Sequence, residues 1–144
     1  MKIYIDTEFN EFDGDLISMA LVAENGDEFY EVLDLPSGVV YGNWVQEHVV
    51  PLLEKDSVEV DVFQYKFQKF LNQYSNIHLI ADWPDDIKYF CKMLITGPGL
   101  SLNHPPITME IRSNLSSADS KVPHNALHDA RAIADHDLGT SYVN

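Results

Sequence analysis

A mixed α/β sheet with helices packed on both its faces is the fold class the sequence predicts, and three observations carry it. The chain opens on alternating, β-branched runs that meet at an Asn-Gly turn. After Pro36-Ser37-Gly38 the apolar period changes from that of a strand to that of a helix. A short apolar run, IHLIAD, then leads directly into another helical stretch.

The first strand is KIYID, which stops at a cluster of acids. LISMALVAENGDEFYEVL follows with two apolar flanks around Asn25-Gly26, the dipeptide that most readily supplies the positive φ angles of a tight hairpin. Three antiparallel strands are therefore expected first. Trp44, Val45, His48, Val49 and Leu52 then share one helical face, which Pro51 kinks or ends. A second helix over 58–74 has Val62, Phe63, Phe67, Phe70, Leu71 and Tyr74 as its apolar stripe and Lys66 and Lys69 on the wet side. IHLIAD reads as a buried strand, and Pro84 in a first turn opens a helix running to Ile95, with Asp82 as its N-cap. The Pro-, Gly- and Ser-rich segment after it reads as loop around one short strand near Ile107 to Ile111. A last helix runs from about Asn125 to Asp137 and stops at Gly139.

Composition narrows the function classes. Nine Lys plus Arg against 23 Asp plus Glu give a formal charge of −14 over 144 residues, and residues 1–144 are expected to form a single domain. Cys91 is the only cysteine, which excludes an internal disulfide and suits a reducing compartment. The apolar runs are far shorter than the roughly 18 residues of a membrane span. MKIYIDTEFN carries acids where a secretory signal is hydrophobic, so cytoplasmic residence is expected. A broad basic surface for gripping phosphates is excluded as well. Any polyanion handled by so acidic a chain needs metal cations.

Three sets of residues carry the chemistry. Asp6 and Glu8 lie two apart at a strand end, so alternation sends both to one side of the sheet, where a divalent cation would relieve their repulsion. Alone, such a pair is no more than a solvated strand end. His124 and Asp129 flank the start of the last helix; five helical residues turn through about 500°, so they reach one cleft only if His124 sits on the loop after Pro123. Small Ala126 would let that helix approach a crowded centre. Ala81-Asp82-Trp83-Pro84-Asp85-Asp86 offers three more carboxylates. Asp86 is the preferred ligand because Tyr89-Phe90 then packs inward one turn on, while Asp82 suits capping and Asp85 the helix dipole.

Asp6-Thr7-Glu8-Phe9, an Asp at the start of a middle helix, and His124-x-Ala-x-x-Asp129 resemble, in order, the three motifs of the DEDD exonucleases with the histidine variant, DEDDh. The Trp44-Val45-x-x-His48-Val49 helix is most similar to that of small 3′-to-5′ exoribonucleases related to ribonuclease T, oligoribonuclease and the mycobacterial adenylate-preferring ribonuclease. The middle motif departs from the pattern: Trp-Pro-Asp-Asp stands where His-Asn-x-x-Phe-Asp is usual. The resemblance implies a ribonuclease H-like fold and removal of nucleotides one at a time from the 3′ end of single-stranded RNA or short oligonucleotides. It also implies two Mg²⁺ or Mn²⁺ held by Asp6, Glu8, Asp86 and Asp129, with His124 as general base. Substrate contacts are expected near Thr7 and Phe9, and a homodimer is a further expectation.

The rival readings are plainer. Phe9 suits packing as well as stacking, Trp44 and Trp83 suit a core or interface, and Cys91 suits a small buried apolar site. Arg131 and Lys121 flank the third motif and suit either phosphates or the many acids, and Asn103-His104 suits an ordinary polar loop. His124-x-x-x-His128 has a zinc-like spacing, but Asn125 replaces the glutamate of His-Glu-x-x-His. A DNA exonuclease, or a non-catalytic acidic binding protein on a degenerate exonuclease fold, is the alternative from another class.

Overall fold

A computed structural model describes residues 1–139. Its main sheet has six strands, in the order Ser57–Val58, Glu28–Leu33, Leu16–Ala23, Lys2–Phe9, Ile77–Ala81, Ile107–Ile111. Strands β1 (Lys2–Phe9), β2 (Leu16–Ala23) and β3 (Glu28–Leu33) form the antiparallel half. On the other side of β1, β5 (Ile77–Ala81) and then β8 (Ile107–Ile111) pair in parallel. Two residues of β4 (Ser57–Val58) extend the β3 edge. The helices are α1 (Asn43–His48), α2 (Val60–Leu71), α3 (Pro84–Leu94) and α4 (Ala126–Leu138). This is the ribonuclease H-like mixed sheet that was expected.

Strand alternation builds two cores. Ile3 and Ile5 of β1 face α2 and α3, where Phe63, Phe67, Tyr89 and Phe90 are buried. Tyr4 faces the other way, onto Ala126, Ala130, Ile133 and Ala134 of α4. Every residue of β2 is buried, as befits a strand covered on both sides. Phe29, Phe63, Phe67 and Phe90 form a chain of ring contacts with centroids 5.2–5.7 Å apart, which fixes α2 and α3 on the sheet.

The local signals behave as their chemistry demands. Gly26 has φ 93° in the hairpin turn, and Gly139 has φ 65° where its N–H caps α4 through the Asp135 carbonyl. Pro51 sits in a 3₁₀ turn, Val50–Leu52, that ends the α1 segment. Helix α2 is shorter than its stripe because the Asn72 side chain donates to the Gln68 carbonyl and stops it, while Val58 joins the sheet. Lys66 is not merely wet: with Lys55 it holds the buried Glu31 carboxylate, at 3.1 and 3.0 Å.

Three expectations are corrected. The N-cap of α3 is Trp83, with no side-chain cap bond, so Asp82 does not cap that helix. The segment after α3 is not loop throughout, because β6 (Ile95–Gly97) and β7 (Leu100–Ser101) pair as a small separate ribbon. Of the core and interface readings of Trp44 and Trp83, the core one does not hold, since they are 51% and 61% exposed. Among the described residues no helix is long and apolar enough to cross a membrane.

Candidate active site

The acids gather at the carboxyl ends of β1 and β5, the end at which parallel strands of open α/β sheets present ligand sites. Asp6, Glu8 and Asp129 bring carboxylate oxygens within 4.8 Å of one another, and so do Asp6, Asp82 and Asp86. Asp6 belongs to both triads. The parallel pairing of β1 with β5, whose last pair is Tyr4 with Ile80, brings the chain to Asp82 just past the end of β5, where its carboxylate meets that of Asp6.

Asp86 enters from the first turn of α3. Its Oδ1 accepts hydrogen bonds from Thr7 Oγ1 at 2.6 Å and from the Thr7 backbone N–H at 3.1 Å. Thr7 is itself buried, so its hydroxyl orients Asp86. Asp85 is engaged elsewhere, by Trp83 Nε1 at 2.9 Å and Lys88 at 3.3 Å. Of the three acids in this segment, Asp82 and Asp86 reach the cluster and Asp85 does not. A register shift between Glu8 and Phe9 puts an extra residue, Ile17, into the neighbouring strand right beside Glu8.

Asp129 and His124 meet through the start of α4. Asn125 is wholly buried and caps the helix by accepting from the Leu127 and His128 N–H groups, while its own amide donates to the Leu52 carbonyl at 2.7 Å. His124 precedes that cap with φ 70°, a left-handed conformation sparsely populated by non-glycine residues. It therefore lies ahead of the helix, and its backbone N–H donates to Asp129 Oδ2 at 3.2 Å. The imidazole stands edge-on to Trp44, with ring centroids 5.3 Å apart. His128 instead faces Glu54 at 3.1 Å, and among the described residues neither histidine joins the acids in a cluster.

The electrostatics show what the cluster costs. Burial, then the neighbouring acids Asp129 and Asp86, raise the Glu8 carboxyl from 4.5 to about 8. Burial is likewise the main cause that lifts Asp86 from 3.8 to about 7, against the lowering effect of its Thr7 hydrogen bond. Asp6 is pushed well up by burial and by Asp86, Glu8, Asp129 and Asp82, and Asp82 and Asp129 are raised by burial. Asp6 Oδ2 and Asp129 Oδ1 are buried with no hydrogen-bond partner among the described residues. Carboxylate oxygens so placed, close together and without donors, fit hard divalent cations.

A hollow of about 300 Å³ adjoins Glu8, with Phe9, Phe12 and Trp44 in its lining. Phe9 stacks on Tyr89 at 5.0 Å. Phe12 is 94% exposed on a loop whose residues Glu11 and Asp13 are both left-handed. The loop is tied down by Lys88 to Asp13 at 2.8 Å and by the Asn10 side chain to Val40 and Gly42. Arg131 pairs with Glu28. Sequence reading missed Phe12, although an aromatic flanked by acids in a Gly-containing loop is a signal. Of the three carboxylates the sequence offers in the middle segment, the preferred Asp86 is in the cluster, and so is Asp82, the acid suited by sequence to capping.

No family model matches the chain. Two curated 3′-5′ exoribonucleases, from two strains of Mycobacterium tuberculosis, are each 45% identical to it over 56 residues. That stretch is 37% of this chain and spans 33% of the relatives' length. Over it, the chain is similar to named exoribonucleases.

Proposed function

We propose that the protein is a metal-dependent 3′-to-5′ exonuclease acting on single-stranded RNA or short oligonucleotides, with Asp6, Glu8, Asp86 and Asp129 as cation ligands and His124 as general base. The observation that carries this reading is the carboxylate cluster at the end of β1, with Asp86 and Asp129 buried and, among the described residues, no donor to one buried oxygen each of Asp6 and Asp129. Two divalent cations bound there would offset the clustered negative charge and stabilise the extra charge that a phosphodiester acquires under attack. The name of the partly matching relatives supports RNA as substrate.

The chain's own groups have separable tasks. Thr7 holds Asp86 by two hydrogen bonds and keeps that carboxylate directed at Asp6. His124 lies exposed at the rim, and Asp129 and Trp44 restrain its backbone and its ring. From that position its imidazole takes the proton of the attacking water, with a ring nitrogen as the acceptor. Phe9, Phe12 and Trp44 line the adjoining hollow, where unpaired bases find faces to stack on. Single strands suit such a hollow because their bases are already unstacked.

The test is incubation of purified protein with 5′-labelled single-stranded RNA and MnCl₂, with and without EDTA. Chelator-sensitive shortening from the 3′ end by single nucleotides is the expected result. Persistence of intact RNA at saturating Mn²⁺, or cleavage that EDTA does not stop, overturns the reading.

A further inference from the structure

We infer that Asp82 is a fifth carboxylate of the cation site, sharing with Asp6 and Asp86 the binding of one hard divalent cation. The inference rests on the proposed cation site and goes beyond its four acids. Beyond a hydrogen bond from its own backbone, Asp82 has no local tie among the described residues that explains an acid at this position. It does not cap α3, whose N-cap residue is Trp83, and among the described residues no cation forms an ion pair with it. Its neighbour Asp85 shows the contrast, being bound by Trp83 and Lys88 and lying outside the cluster.

Register supplies the positive argument. β1 and β5 run in parallel, their last pair being Tyr4 and Ile80, and Asp82 follows directly on the end of β5, which delivers it to the sheet end where Asp6 lies. The carboxylate oxygens of Asp6, Asp82 and Asp86 come within 4.8 Å of one another. Asp6 Oδ2 is buried and without a donor among the described residues, which marks the place as one where a carboxylate oxygen has room for a cation. Three carboxylates around one point are a ligand set for Mg²⁺ or Mn²⁺, and an added anionic ligand raises affinity for such an ion. The departure of this segment from the usual middle motif thus places an additional acid where that motif has none.

Two measurements on metal-free protein test this without any nuclease assay. In ¹³C-carboxylate NMR of the wild type titrated with MgCl₂, the Asp82 Cγ resonance is expected to move together with those of Asp6 and Asp86, while Asp85 stays. In calorimetric titration with MnCl₂, Asp82→Asn is expected to lose about 10–100-fold in affinity, and Asp85→Asn none. Asn is isosteric with Asp and removes a repelling charge, so Asp82→Asn should melt in EDTA no lower than the wild type; should it fail to fold, the wild-type NMR titration decides alone. A static Asp82 resonance, or unchanged affinity in folded Asp82→Asn, overturns the inference and leaves the proposed function standing. If the wild type binds neither ion, the proposed function falls with it.

Discussion

Replacing Glu8 by Gln should stabilise the metal-free protein, and by an amount that grows with pH. Burial and the Asp129 and Asp86 charges raise the Glu8 carboxyl from 4.5 to about 8. A carboxyl whose pKa rises on folding contributes stability that is fully present below about 4.5 and is lost as pH climbs towards 8. At about 1.4 kcal/mol per pH unit, folding is weakened by less than about 1 kcal/mol at pH 5 and by about 3 kcal/mol at pH 7. Sharing of the proton among neighbouring acids reduces the difference to about 1–2 kcal/mol. A chain of 144 residues has an unfolding entropy near 0.3 kcal/mol/K at about 2.1 cal/mol/K per residue, so the margin corresponds to about 3–7 °C. The assay is thermal melting of wild type and Glu8→Gln in EDTA at pH 5 and pH 7, then with MnCl₂. The advantage of the variant in EDTA should widen by that amount between the two pH values. With Mn²⁺ at pH 7 the wild type should regain the lead, since only it keeps the full ligand set. A difference between the proteins that is the same at both pH values would refute the reasoning, because a packing effect is indifferent to pH and a buried charge is not.

Further outcomes follow from the same geometry. Asp129→Asn should abolish RNA shortening with the fold retained in far-UV circular dichroism; wild-type turnover in that variant would remove Asp129 from the site. His124→Ala should lower kcat by about 10²–10⁴-fold while Mn²⁺ affinity by calorimetry holds, and a loss of metal binding equal to the loss of rate would contradict a general-base role. Asn125→Ala removes a helix cap and the anchor to Leu52, and should cost about 2–3 kcal/mol in urea unfolding; a cost under about 0.5 kcal/mol would show the anchor to be idle. Phe67→Ala empties the centre of the aromatic chain between α2 and the sheet and should cost about 3–5 kcal/mol, checked by the same unfolding curves.

Much of the fold is legible in near-neighbour chemistry. The Asn25-Gly26 hairpin, the Phe63-Phe67-Phe70 stripe, the start and stop of α4 at Asn125 and Gly139, and the strand at Ile107–Ile111 all depend on residues a few positions apart. Backbone torsion, side-chain alternation and capping act over that range, so the sequence carries them openly. Asp6 and Glu8 share a face by strand alternation and Asp129 lies in the first turn of α4, as local patterning allows; the first strand, however, does not stop at the acids but runs through them to Phe9.

What the tertiary structure alone decided is which exposed or acidic side chain faces what. Asp82, Asp85 and Asp86 are chemically alike in the sequence; the parallel pairing of β1 with β5 and the seating of α3 turn two of them to Asp6 and hand the third to Trp83 and Lys88. Trp44 reads as a core residue by period, yet α1 buries only Val45 and leaves the indole beside His124. Such choices arise from contacts between segments far apart in the chain, whose energies depend on register and crossing and leave no trace in the local order of residues.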